Sequence, residues 1–276
     1  MEATVSNFHY GAVTPVAAFL MACLGAALGL RCTTRAIRRG TNRAGWLALG
    51  AVSIGCGIWT MHFIAMAGFT IDGMSMKYDS ATTVLSLVVA IAVVAVGVFL
   101  VGFRGPGTLV LTTAGVFTGL GVAAMHYLGM AAMHTPGELN YSYGTVALSI
   151  LIAVVAATAA LWAAVSVHGL GASVGASLIM GVAVTGMHYT GMAAVAVPVD
   201  HHGAGTQSSA GMLSFLLVML AGPLAALVMS AVVVMFDGDV MLGADERGAR
   251  TSGPAPAPGH AVAGRGGSGS YHGPGA

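Results

Sequence analysis

Three segments of this chain carry histidine between methionines: Met61-His62-Phe63-Ile64-Ala65-Met66, Met125-His126-Tyr127-Leu128-Gly129-Met130 and Met187-His188-Tyr189-Thr190-Gly191-Met192. Their histidines stand 64 and 62 residues apart, and each copy lies near the end of a long apolar stretch. Imidazole nitrogen and thioether sulfur, with no carboxylate in those stretches, form a ligand set that favours copper, especially Cu(I), over magnesium, calcium or manganese. Zinc comes next, because three histidines with an open fourth position suit it. The candidate metal ligands are His62, His126 and His188 with Met66, Met130 and Met192. Met61, Met125 and Met187 point about 100° away around a helix and would approach from the side. No charged side chain stands nearby to act as a general base, so the expectation is not an enzyme. A lone intramembrane histidine can simply hydrogen-bond to a neighbouring helix. Three copies in register argue for one shared site, because ionisable groups are costly in a membrane and tend to mark function.

The elements that must position these residues follow from composition. Hydrophobic residues make up 57% of the 276 and charged residues 7%, the profile of a polytopic membrane protein. Seven uncharged stretches, 13–30, 45–68, 81–102, 108–133, 144–167, 173–197 and 210–236, are each long enough to cross a hydrocarbon core of about 30 Å. Continuous apolarity predicts helices rather than barrel strands. The fold class is therefore an all-α integral membrane protein with seven transmembrane helices. Arg31, Arg35, Arg38, Arg39 and Arg43 are assigned to the first loop, Arg104 to the third, and Arg247, Arg250 and Arg265 to the tail; Lys77 alone falls on the other side. Basic residues stay cytoplasmic, which predicts the N-terminus outside and the C-terminus inside, in a multi-pass membrane protein.

Spans one and two, three and four, and five and six form three helical-hairpin repeats, each closing on the motif, and a seventh span follows. Every even span then runs outward, so the three motifs reach one depth. Gly55, Gly119 and Gly181 lie seven residues before the histidines, and Ala65, Gly129 and Gly191 three residues after. On a helix these small positions fall within about 60° of the histidine, predicting that the even spans meet along this face. Seven to nine residues from the span ends, roughly 10 to 14 Å, the site is expected to be reachable from outside. His9, His134, His201 and His202 on that side are candidates to relay metal. Residues 1–236 form the membrane domain. Residues 237–276, rich in Gly, Pro and Ser, read as a disordered cytoplasmic tail. The tail is too short for a catalytic output domain, which predicts a separate cytoplasmic signalling partner.

Met187-His188-Tyr189-Thr190, with the variants Met125-His126-Tyr127-Leu128 and Met61-His62-Phe63-Ile64, resembles the motif of the MHYT-domain family of bacterial integral membrane sensor proteins, over about residues 8 to 236. The resemblance implies a signalling role in which the histidines and methionines bind copper and the metal senses a diatomic gas (O2, CO or NO) or redox state. It also implies output domains for cyclic-di-GMP turnover or histidine kinase activity.

Two other functions compete with this reading. Copper uptake or metal handling would use the same outer histidines, although only scattered Thr and Ser line the inner half of the spans. A haem-binding redox protein would need two facing histidines. Retinal chemistry requires a lysine within a span, and Lys77 lies between spans. Contact with the lipid bilayer explains the arginines, so nucleic-acid binding is not expected.

Overall fold

The structure is a computed structural model that describes residues 5–6, 11–39, 42–71, 77–134, 140–167, 169–196 and 209–236. Seven helices run through these residues: α1 (Val13–Arg39), α2 (Arg43–Ala67), α3 (Ser80–Arg104), α4 (Thr108–Ala131), α5 (Tyr143–Ser166), α6 (Leu170–Met192) and α7 (Ser209–Met235). All seven contain a segment long and apolar enough to span a membrane. The described residues from 5 to 235 belong to one compact unit. The proposed tail, 237–276, lies outside the described residues, as do His9, His201 and His202.

Boundaries differ from expectation where polar residues extend a helix. Arg31, Arg35, Arg38 and Arg39 are not in a loop; they continue α1, and Arg43 opens α2. Arginine is a good helix former, and its long stem lets the charge reach the membrane surface while the backbone stays hydrogen-bonded. The Arg35 guanidinium lies 4.7 Å from the Trp46 ring centroid. Arg43 donates to the Gly102 carbonyl at the end of α3 and lies 5.3 Å from the Phe103 ring. These contacts hold the arginine-bearing ends of α1, α2 and α3 together.

At the motif end, three two-residue antiparallel ladders add a feature that helix periodicity does not reveal. β1 (Val5–Ser6) pairs with β2 (Thr70–Ile71), β3 (Lys77–Tyr78) with β4 (Met133–His134), and β5 (Asn140–Tyr141) with β6 (Val195–Ala196). Each ladder ties the segment before an odd helix to the segment after the next even one. The repeat is thus a strand, two helices and a strand, clamped at its open end. Asp79 continues the second clamp into α3: its carboxylate accepts from the Thr82 backbone N–H and hydroxyl, both at 2.7 Å. These two bonds hold the Asp79 carboxyl below its usual range. Because the folded pKa is lowered, the cap contributes fully above the unfolded value of about 3.9 and is lost as pH falls through the folded one. Thermal melts should show Asp79→Asn less stable than wild type at pH 7, with the gap closing below about pH 4.

The six helices of the three repeats close into a ring in which each packs on its sequence neighbours and α6 returns to α1. α7 packs outside on α2 and α1, which makes α2 the most enclosed helix. Glycines set the spacing. A Cβ on Gly25 would stand 2.7 Å from Gly57 Cα, and the reverse is also true, so α1 and α2 meet backbone to backbone. The outer faces of α3, α5 and α7 present exposed Val88, Leu151 and Val228, as lipid-facing surfaces do.

The small residues seven positions before each histidine do not bring the even helices together. Gly55 faces Ile91 of α3, Gly119 faces Val154 of α5, and Gly181 faces Cys23 and Phe19 of α1. Each admits the next odd helix of the ring. Angle around a helix gives a direction but not a partner, and the ring order places odd helices there.

Candidate metal centre

Each motif histidine sits four or five residues before the end of its helix, on α2, α4 or α6. The ring turns all three imidazoles to its axis. His62, His126 and His188 are each 1% exposed. Their Nδ1 atoms form a triangle: His62 to His188 3.1 Å, His126 to His62 3.2 Å, and His188 to His126 3.3 Å. The rings stand edge-on to one another, with centroids 5.0, 5.0 and 5.1 Å apart and interplanar angles of 84°, 81° and 87°. Each imidazole also packs against the aromatic that follows it, Phe63 at 4.8 Å, Tyr127 at 4.9 Å and Tyr189 at 5.1 Å. The three repeats thus build one nearly threefold centre.

This triangle cannot satisfy itself by hydrogen bonding. An imidazole Nδ1 presents either an N–H or a lone pair. With three such atoms in mutual contact, at least one edge joins two donors or two acceptors, whatever the tautomers. A cation accepting three lone pairs removes the conflict. The dimensions fit: an ion about 2.0 Å from each nitrogen, at tetrahedral angles, requires the nitrogens to be about 3.3 Å apart. Three His nitrogens form the group of potential ligands close enough for one ion among the described residues.

The opposite nitrogens are treated differently. Nε2 of His62 and of His126 are buried without a hydrogen-bond partner. Each lies against a glycine of the next even helix: a Cβ on Gly129 would collide with His62 Nε2, and one on Gly191 with His126 Nε2. The position three residues after the histidine therefore does serve the meeting of even helices, by giving space to the preceding repeat's imidazole. An unpaired buried N–H costs about 1–3 kcal/mol, a cost that a strong bond at Nδ1 can offset.

The six motif methionines are all buried. Met66, Met130 and Met192 lie one turn beyond the histidines, and Met61, Met125 and Met187 beside them belong to the apolar core cluster. A site open to the outer face is not what the fold provides: Phe69, Ala132, Met133 and Ala194, between the triad and the chain segments beyond the helices, are buried as well. The helices end sooner than apolarity implies because the chain turns into the ladders. His134 lies in β4, exposed and outside the triad.

Three supporting residues escaped the sequence reading. Trp59 Nε1–H donates to Ser86 Oγ at 2.9 Å, and Ser86 donates to the Thr83 carbonyl at 2.7 Å. Tyr127 Oη and Ser149 Oγ are 2.7 Å apart, and Ser149 bonds the Val146 carbonyl at 2.8 Å. In both cases an even helix is pinned to a serine on the next odd helix. In the first repeat phenylalanine replaces tyrosine at position 63, and Trp59, one turn earlier, supplies the donor instead. The available signal is spacing, since Ser86 precedes His126 by 40 residues and Ser149 precedes His188 by 39. Ser149→Ala should leave the Tyr127 hydroxyl unpaired and lower stability by about 1–3 kcal/mol. Adding Tyr127→Phe should recover part of that loss in denaturation experiments in detergent.

Residues 55–114 and 119–176 each match the MHYT repeat, described as "Bacterial signalling protein N terminal repeat". The chain belongs to the MHYT family. The two matched MHYT repeats open at Gly55 and Gly119, the small residues seven before the histidines. Relatives include the bifunctional diguanylate cyclase/cyclic di-GMP phosphodiesterase MucR of Pseudomonas aeruginosa, 38% identical over 73% of this chain and 30% of its own length. The cyclic di-GMP phosphodiesterase NbdA of the same organism is 36% identical over 80% of this chain and 29% of its own length. The signaling protein YkoW of Bacillus subtilis is 30% identical over 66% of this chain and 23% of its own length. This chain thus spans less than a third of the length of the curated relatives it matches. No solved structure matches it. Seven apolar helices and MHYT membership make it a multi-pass protein of the bacterial inner membrane, of a signalling family.

Proposed function

We propose that this MHYT protein is a membrane sensor that holds one copper ion at the His62–His126–His188 triad and responds to a diatomic gas or to redox state. The observation that carries the reading is the Nδ1 triangle of 3.1 to 3.3 Å, which hydrogen bonding alone cannot satisfy. Three Nδ1 lone pairs would hold the ion, and the soft sulfurs of Met66, Met130 and Met192 on the same helix faces favour Cu(I). Bound copper would supply an open position for a small ligand and a one-electron redox couple.

The chain's own residues would convert occupancy into packing. His62 touches the next even helix at Gly129 and His126 at Gly191, so a sub-ångström change at the triad bears on all three repeats. A near-complete switch between two packings needs a differential affinity of about 5.5 kcal/mol. Met61, Met125 and Met187 serve as core packing around the triad. With the N-terminus outside, the arginine-bearing ends face the cytoplasm, where a signalling domain or a separate signalling protein would read the change. The activities of the relatives MucR and NbdA make cyclic-di-GMP turnover the favoured output. On this reading the membrane domain is itself no enzyme.

The reading is tested on purified protein expressed with copper. The expected result is about one copper per chain, with absorption that changes when NO or CO is added anaerobically. Copper flux into proteoliposomes would instead establish metal handling, and a Soret band would establish haem.

A further inference from the structure

We propose that the interior of the helix ring is a binding site for one small nonpolar molecule of dioxygen size, and that such a molecule reaches the histidine triad from within the ring rather than from the motif end. The site is a cavity of about 50 Å³. It begins at Ile58, Val122 and Val184, each four residues before a motif histidine. Four helical residues span about 6 Å, so the cavity starts one turn from the triad.

Its origin is legible in α5. Where α3 lines the cavity with Val94 and Val98, α5 contributes Leu161 and five alanines, Ala153, Ala156, Ala157, Ala160 and Ala164. The alanines leave unfilled the volume that larger side chains would occupy, and the threefold pattern breaks on this side. Beyond the far end, Thr34 of α1 reaches across to the Ala164 carbonyl at 3.3 Å. One turn beyond the triad toward the motif end, Met66, Met130 and Met192 are all buried.

Chemistry selects the occupant. An apolar cavity stays dry and accepts nonpolar guests such as xenon. At about 50 Å³ this one suits a diatomic molecule or a xenon atom rather than a cofactor or lipid tail. Two polar groups line it: Thr118, whose hydroxyl donates to the Val93 carbonyl at 3.4 Å, and Thr33, 1% exposed, whose hydroxyl has no partner. That hydroxyl can hydrogen-bond a weakly polar diatomic at the arginine-side end. Nonpolar gases concentrate in hydrocarbon relative to water, so supply from the bilayer suits a route through the ring. The inference rests on the sensor reading for its purpose, but not for the cavity itself.

Xenon serves as the probe, followed by xenon-129 NMR of the detergent-solubilised full chain, with copper content and NO association rate measured on the same samples. Wild type should bind xenon at one saturable site. Ala157→Leu and, separately, Ala160→Leu should weaken that binding and slow NO association, each by about tenfold or more, with copper content unchanged. Val98→Ala, which enlarges the cavity, should bind xenon more tightly and guards against a leucine variant that fails to fold. Absence of saturable xenon binding in wild type overturns the site. Loss of xenon binding with an unchanged NO rate overturns the route. Saturable xenon binding in a protein that holds no copper supports the cavity while removing the sensor reading, so the two failures are distinguishable.

Discussion

Replacing His126 by alanine is expected to weaken copper binding by at least about a hundredfold, beyond the 10- to 100-fold typical of residues that only orient a ligand. His126 Nδ1 shares two of the triangle's three edges, at 3.2 and 3.3 Å, and its removal leaves two nitrogens, which cannot complete a three-nitrogen face. His62→Ala and His188→Ala should behave alike, because the triangle is nearly equilateral. The triple variant should retain no more copper than the methionines hold alone. Stability should respond in the opposite sense when metal is absent. Removing one imidazole also removes a like-with-like contact, so a single variant freed of metal should melt no lower than wild type freed of metal. Competition titration against a Cu(I) chelator, with melts run with and without metal, reads both effects. Equal copper affinity in all three single variants and wild type would exclude the triad as the site.

The second large effect is expected at the glycines that touch the imidazoles. Gly129→Ala drives a methyl group into His62 Nε2, and Gly191→Ala does the same to His126 Nε2. Neither ring can retreat: both histidines are 1% exposed, and each is backed by its own aromatic. Overpacking of this kind typically costs about 1–3 kcal/mol. The ring tilt that relieves it should cost about 10- to 100-fold in metal affinity, as for other contacts that orient a ligand. Gly186→Ala is the control, because nothing lies within 4 Å of where its Cβ would be. Loss of metal affinity at 129 and 191 but not at 186 identifies an orienting contact, whereas equal effects at all three would indicate general helix destabilisation. The first repeat carries Ala65 at the corresponding position, where a methyl group is the native side chain.

Sequence and structure agree best where one residue's chemistry decides the outcome. Seven spans follow from unbroken apolarity, and the convergence of His62, His126 and His188 follows from three motifs at one depth on helices of one direction. Partner identity was not legible. The small residues before and after each histidine share a face by periodicity, yet Gly55, Gly119 and Gly181 admit an odd helix while Gly129 and Gly191 admit an imidazole, because the ring alternates odd and even helices. The struts from Trp59 to Ser86 and from Tyr127 to Ser149 join residues 27 and 22 positions apart on different helices, beyond the reach of any helical repeat. The clamping ladders are two residues each, too short for strand alternation to show. The arginines of α1 were assigned to a loop because charge marks the end of a span, while helix continuation depends on backbone bonding that charge leaves intact.

Three repeats that converge on a single metal ion should give one ion per chain in one coordination environment. X-ray absorption at the copper edge, together with metal stoichiometry on the purified full-length chain, tests this most directly. One copper per chain is expected, with three imidazole nitrogens at about 2.0 Å and any remaining scattering from thioether sulfur. Three coppers per chain, a shell of sulfur without imidazole, or no bound copper in folded protein would contradict it.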